Sequence, residues 1–444
     1  MLLKINNLGP VKRAEFSLGK KMTVLCGVNN TGKTYVSYLL YYLFSDNQDF
    51  MLRPFVKIDY EKSKSYQITL DIITRWLESF SSYIKQNVSS IYGISFTQSD
   101  ELFGDFSLEM HVSEAEFNEI ILRSLKQKLF YQYNEITILK RKKSRTFNFT
   151  VNSQNPQAAK IDIDLVLSIS MNLVFRRLIL DCYRSFMFTV ERNSIYTFKN
   201  ELSLTRNELL NKIIESTDRD TASRVEANRY PVAIFDSLRI ANDIANISKQ
   251  KGKFYELASQ IESELLQGKV ITSDIGDISL QIGEEAIPIH ITSSIVKTLS
   301  SFVLYLKHQA IPGDVVLIDE PEMNFHPFNQ IIVARLFARL SNMGIRFIIS
   351  THSDYVIREL NNLVMAGELI KGNAEYVKKM GYDSSLVLAK DDMGVYNFVR
   401  RDDGVHVDSI VVSEMGFPVE SIDNAIESQN AATELLYGKL MEQE

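Results

Sequence analysis

The apolar positions of this chain follow two rhythms, and the switch between them marks out its parts. At the N-terminal end, three short runs at 2–7, 14–18 and 22–26 are separated by Gly and Pro punctuation and predict strands. The third run leads into a glycine-rich turn, and residues 35–44 then form an apolar helical stretch. From about 71 to 266 the spacing becomes mainly helical. Residues 72–88 put Trp76 and Phe80 on one face, and 114–131, 166–183, 205–216, 235–248 and 254–266 read as further helices. Inside that block, 136–139 and 146–151 read as the two strands of a hairpin.

Beyond 275 the strands return. Runs at 278–282 and 286–289 precede a helix over 295–306. Residues 315–318, Val-Val-Leu-Ile, show no alternation and predict a strand buried on both faces. A helix over 329–340, a strand at 346–350 and a helix through 360 follow. Short strands at 385–389 and 394–400 and a helix near 421–440 come last. The expected fold is α/β. A mixed sheet flanked by helices is assembled from residues 1–70 and 275–444, with a large, mainly helical insertion over 71–274.

Composition narrows the function classes. The 444 residues suffice for two or three lobes with a substantial core. A net charge of −6 excludes a wholly basic nucleic-acid-coating protein, but not a local basic patch. Cys26 and Cys182 offer neither a disulfide framework nor a zinc site, which fits a reducing cytosol. The N-terminus reads as strand rather than secretory signal. The most apolar long segment, 165–180, carries Asn172, Arg176 and Arg177 and is too interrupted to span a membrane. A soluble cytoplasmic protein is expected.

Two stretches carry the chemistry. Gly27-Val28-Asn29-Asn30-Thr31-Gly32-Lys33-Thr34 fits G-x-x-x-x-G-K-[ST] between a strand and a helix. The glycines let the backbone curl so that N–H groups face phosphate oxygens, and the helix N-terminus adds partial positive charge. Gly27, Asn29, Asn30, Thr31 and Gly32 form the cradle. Lys33 would reach the β- and γ-phosphates of ATP, and the Thr34 hydroxyl would ligate Mg²⁺. The second stretch is 315–327, where the apolar strand runs into Asp319 and Glu320. Two carboxylates there are costly unless a cation meets them, and that end of an open α/β sheet is where ligands bind. Asp319 is expected to hold Mg²⁺ beside Thr34, and Glu320 to act as general base on the attacking water. His352 follows another apolar strand, where a neutral or protonated imidazole could bond a γ-phosphate oxygen.

Residues 27–34, 292–294, 315–327 and 349–360, in that order, resemble the ABC-type ATPase superfamily. More narrowly they resemble its branch of SMC, RecF and OLD-family proteins, above all the stand-alone AAA ATPases of bacterial anti-phage systems of the Septu and PARIS kind. A short piece, Glu191-Arg192-Asn193 with Phe198, is similar to a Pro-Ala-Glu-Arg segment of those ATPases. The resemblance implies a homodimer or higher homo-oligomer that sandwiches ATP. Thr292-Ser293-Ser294 stands where the Leu-Ser-Gly-Gly-Gln signature would be. Ser293 and Ser294 either grip a γ-phosphate across the interface or simply cap a helix. Asn324 and His326 would lie in the loop crossing that interface, and Pro327 would start the next helix. The resemblance further implies a switch that controls a separate effector, a nuclease or toxin, in response to a phage trigger. A DNA repair or recombination ATPase is the alternative. The basic run Lys140-Arg141-Lys142-Lys143-Ser144-Arg145 either binds nucleic acid or is a solvated hairpin tip. Asp391-Asp392 and Asp402-Asp403, beside Gly394 and Gly404, read as turns rather than a nuclease centre.

Overall fold

The computed structural model describes residues 1–45, 65–131, 134–153, 174, 176–199 and 230–441. The helix read at 205–216 and half of that at 166–183 lie outside them. The central sheet is built from β1 (Leu2–Leu8), β2 (Val11–Ser17), β3 (Met22–Gly27), β4 (Ser107–His111), β5 (Ser185–Phe188), β6 (Val315–Asp319), β7 (Arg346–Ser350), β8 (Met393–Arg401) and β9 (Gly404–Ile410). Their order across the nine-stranded sheet is β4-β1-β2-β9-β8-β3-β7-β6-β5. The five strands from β8 to β5 are mutually parallel. β9 turns back against β8 and lies parallel to β2, while β2, β1 and β4 are antiparallel neighbours. The sheet is therefore mixed, as the strand pattern requires.

Burial explains why the middle strands carry unbroken apolar runs. Every residue of β3 and of β6 is buried. Leu25, Val315, Leu317 and Ile348 face one apolar layer, which contains α1 (Lys33–Phe44) and α2 (Leu70–Gln86). Val24, Cys26, Val316, Ile318, Phe347 and Ile349 face the other. That second layer holds α5 (Ser294–His308), α6 (Pro327–Asn342) and α7 (Asp354–Lys379). α3 (Arg192–Thr197) and α4 (Val232–Asn242) adjoin the β5 edge, and α8 (Glu420–Met441) ends the described chain.

The span 71–274 is woven into this sheet: β4 and β5 both come from it and form opposite edges. It also contributes strands to a four-stranded sheet of Ser65–Gln67, Leu125–Tyr131, Asn134–Lys140 and Thr146–Ser153. The expected hairpin is present, with Ile138 opposite Phe149. The helix read over 114–131 is corrected. Only Glu114–Leu122 is helical, because Leu125–Tyr131 pairs as a strand with Asn134–Lys140. The strand read at 385–389 is also corrected. Ser385 donates to Asp383 Oδ1 from both its N–H and its hydroxyl, closing a turn, and Leu388 bonds to Leu363 of α7 instead of to the sheet.

The basic run is corrected in one residue. Lys140 is only 1% exposed and donates to the carbonyls of Ile121 at 2.8 Å and Arg123 at 2.6 Å. It staples the hairpin to its neighbours and cannot meet a ligand. Arg141, Lys142, Lys143 and Arg145 remain exposed at the turn.

α5 is fixed by a buried ion pair. Lys307 Nζ donates to Glu262 Oε1 at 2.9 Å and to Val270 O at 2.8 Å, and the Val270 N–H donates to the same Glu262 oxygen. Both side chains are nearly inaccessible. Removing one partner of such a pair strands the other charge. Lys307→Met is therefore expected to lower stability by about 3–5 kcal/mol. Lys307→Met with Glu262→Leu should recover most of that loss, as measured by urea denaturation midpoints.

Candidate functional site

β3 delivers the glycine-rich turn directly against β8. Gly27 has φ +129°, and a Cβ there would stand 2.6 Å from Phe398 O. Gly32 has φ +90°, and a Cβ there would meet Val11 Cγ2 at 2.8 Å. Both positions demand glycine. Asn30 is also left-handed, at φ +59°. The curl is pinned by Thr31 Oγ1, which donates to Val28 O at 2.8 Å, and by Arg400 of β8, which donates to Asn30 O at 3.0 Å. Thr34 is exposed in the first turn of α1.

Lys33 is 7% exposed, and its ammonium folds back over the loop. It donates to Gly27 O at 3.1 Å and Val28 O at 2.8 Å. Burial pushes its pKa down to about 8, while Glu320, Asp319, Cys26 and Glu322 resist the fall. Val28 and Asn29 of the loop line one cleft with Glu320 and Glu322, so the loop and the acidic strand end, nearly three hundred residues apart in sequence, meet in space.

At the end of β6, Asp319 is 1% exposed and accepts a hydrogen bond from Ser350 Oγ of β7 at 2.6 Å. Its Oδ2 is buried with no donor in hydrogen-bonding geometry. Burial raises its pKa, the Ser350 and Ser37 hydroxyls and Arg192 pull it back, and Glu320 adds to the rise. Glu322 is similar. Its Oε1 accepts from Thr351 Oγ1 at 2.8 Å and from the His352 N–H at 2.7 Å, while Oε2 is buried and unpartnered. Burial is the main cause of its raised pKa. Ionised, these two carboxylates cost stability that returns as pH falls through their folded pKa values. The two orphaned oxygens suit a hard cation such as Mg²⁺, which takes carboxylate oxygens together with phosphate.

Glu320 adopts φ +47°, a left-handed conformation that costs a non-glycine residue about 1–2 kcal/mol. Its N–H donates to Ser350 O at 3.0 Å. Arg192, 4% exposed, holds the other side through the carbonyls of Asp319 at 2.7 Å and Glu320 at 2.8 Å. Burial pulls its pKa to about 10, so it stays charged at neutral pH. His352 lies across from the loop. Burial, with Lys33 nearby, lowers its pKa to about 4, which leaves a neutral imidazole. Val28, Asn29, Glu320, Glu322 and His352 line an open cleft of about 450 Å³.

The loop residues, Asp319, Glu320 and His352 thus converge, because β3, β7 and β6 are adjacent parallel strands. Ser293 and Ser294 are exposed at the start of α5 and do not line the cleft. Ser293 occupies the N-cap position without making a side-chain capping bond. Asn324, at φ +66°, donates to Thr298 Oγ1 of α5 at 3.5 Å, and His326 Nδ1 accepts from the Phe328 N–H where Pro327 opens α6. Asp392 pairs with Lys21 and Asp403 with His406. Sequence reading gave Glu322 no role. Its signal was a third carboxylate three residues after Asp319. Arg192 was marked only by a short resemblance.

The profile described as the AAA ATPase domain matches residues 1–357. This chain belongs to the AAA ATPase domain family. The ATPase has no match among curated proteins. Similar solved structures include an SMC head bound to the C-winged helix domain of ScpA. It shows 12% identity and a TM-score of 0.37, over 93% of this chain and 98% of that one. The SMC head domain from Thermotoga maritima shows 11% identity and a TM-score of 0.34, over 92% and 98%. An SMC head with an extended coiled coil, bound to the C-terminal domain of ScpA from Pyrococcus furiosus, shows 13% and 0.36, over 97% and 98%. Among the described residues of the ATPase, no helix is long and apolar enough to cross a membrane.

The His352 environment predicts a pH dependence. The imidazole titrates near 6.5 when free and at about 4 in the fold, so between these values the unfolded chain binds the proton and the folded one does not. Stability contributed by His352 therefore falls as pH drops through that window. His352→Gln should flatten the change in denaturation midpoint between pH 7 and pH 4.5, and an unaltered slope would contradict the assignment.

Proposed function

We propose that this ATPase hydrolyses ATP at the cleft between the glycine-rich loop and the ends of β6 and β7. The observation that carries the reading is that Lys33, Asp319, Glu320 and His352 all lie at or follow the ends of the adjacent parallel strands β3, β6 and β7, around one cleft. Lys33 holds the β- and γ-phosphates, leaving its two carbonyl partners when nucleotide enters. Thr34 and Asp319 hold Mg²⁺, which when bound neutralises phosphate charge and orients the triphosphate. Glu320, presented to the cleft, takes the proton of the attacking water. Neutral His352 is placed to donate or accept at the γ-phosphate. Gly27, Asn29, Asn30, Thr31 and Gly32 supply the backbone cradle.

The ATPase acts as a homodimer or higher homo-oligomer. Val28, Ile291, Phe328 and Tyr355 are large apolar side chains, each roughly half to two-thirds exposed, beside the loop, the Ser293–Ser294 corner, α6 and the His352 turn. Exposed apolar side chains at these places support a second copy docking over the nucleotide, with Ser293 and Ser294 completing its site. Turnover then works as a switch on a separate effector in bacterial anti-phage defence, a reading supported by the resemblance of residues 27–34, 292–294, 315–327 and 349–360 to such ATPases. Cytoplasmic location belongs to the same reading.

Glu320→Gln should keep ATP affinity and lose about 10²–10⁴-fold in turnover, and ATP with Mg²⁺ should raise its mass in sedimentation to that of a dimer or more. Lys33→Ala should lose ATP binding. Normal turnover in the first variant moves the base elsewhere, and a monomer with ATP bound removes the oligomer.

The alternative, a DNA repair or recombination ATPase, draws on the exposed Arg141, Lys142, Lys143 and Arg145. It predicts DNA binding whose affinity falls steeply with salt, with a slope that shrinks when these four are neutralised. Affinity indifferent to salt would remove it.

A further inference from the structure

The acidic strand end is held by a residue from outside the two sequence stretches that define the site. β5 runs parallel to β6, and α3, which follows it, opens with Arg192, whose guanidinium reaches the carbonyls of Asp319 and Glu320. Its Nη1 donates to Thr189 O at 2.9 Å and Asp319 O at 2.7 Å, and its Nη2 donates to Glu320 O at 2.8 Å. Every one of these acceptors is a backbone carbonyl, so the guanidinium orients the chain without forming an ion pair with the Glu320 carboxylate.

The Glu320 backbone needs such a hold. Its φ of +47° is one that an L-residue leaves when unrestrained. On one side its N–H is tied to Ser350 O, and on the other its carbonyl accepts from Arg192 and from the Met323 N–H at 3.1 Å. Relaxing toward ordinary dihedrals would swing the Cα–Cβ bond and carry the carboxylate with it. We infer that Arg192 is a positioning residue for hydrolysis: its fork locks the carbonyls of Asp319 and Glu320 and so keeps the Glu320 carboxylate presented to the cleft. The inference rests on Glu320 being the base. A planar guanidinium suits the task because two nitrogens set at a fixed angle grip two successive carbonyls, whereas an ammonium is a single pivot. Arg192 is buried and does not line the cleft, so it acts through the backbone and not on nucleotide.

The test compares full-length Arg192→Ala, Arg192→Lys and Glu320→Gln. ATP affinity comes from titration with a fluorescent nucleotide, and kcat and KM from phosphate release. Arg192→Ala should bind ATP within about threefold of wild type while kcat falls ~10²-fold, the scale expected when a reacting group is misplaced. Millimolar guanidinium should restore part of that kcat, and Arg192→Lys should fall in between. Full turnover in Arg192→Ala overturns the proposal. So does affinity lost in step with kcat, or a loss that guanidinium leaves untouched, which marks a folding defect. If Arg192→Ala does not fold, Arg192→Lys decides, and wild-type kcat there is fatal to the idea. Glu320→Gln separates the two claims: if it turns over normally, the choice of base has failed whatever Arg192 does.

Discussion

Everything in this molecule that concerns nucleotide follows from putting carboxylates where water is scarce. Asp319 and Glu322 sit at the end of a strand with no exposed residue, and each keeps one oxygen without a donor. A buried anion left half-satisfied is expensive, and proteins retain one where a cation arrives to complete it. The surrounding hydrogen bonds answer that demand. Ser350 and Thr351 come from the neighbouring strand end, and Arg192 brings a guanidinium to the same corner. Lys33 completes the balance from the loop side, close enough that all three acidic residues oppose the fall in its pKa.

The same packing couples parts that sequence separates. Glu322 binds the His352 N–H, so the acidic corner and the turn after β7 share a carboxylate. Asn324 reaches Thr298, and so links the acidic loop to α5, the helix that begins at Ser294. α5 is in turn locked by Lys307 and Glu262 to the segment just before a three-stranded sheet of Lys269–Thr272, Ile278–Ile282 and Glu285–Pro288.

How much of this could be read beforehand depended on the kind of signal. The strands that carry the site were legible, because an unalternating apolar run ending in Asp-Glu, or one leading into a glycine-rich turn, has few other physical meanings. The helix expected at 114–131 failed because charged and apolar residues in 125–131 satisfy both periods locally, and pairing with Asn134–Lys140 decided between them. Lys140 looked like part of a solvated tip, since nothing in a run of cations shows which one finds carbonyls to bind. Arg192 was marked only by a short resemblance, and its role was hidden for a deeper reason. Its partners are backbone atoms, and a carbonyl leaves no mark on the residue letter that carries it.

The outer strands of the sheet decide what can be removed from this chain. β4 and β5 cap opposite borders and both belong to the stretch between residues 71 and 274. That stretch is therefore no removable cassette. Excising it would strip β1 and β6 of their outer neighbours and bare two rows of backbone donors and acceptors, the kind of open margin that recruits other chains. Any replacement for this stretch would have to bring its own margin strands for β1 and β6.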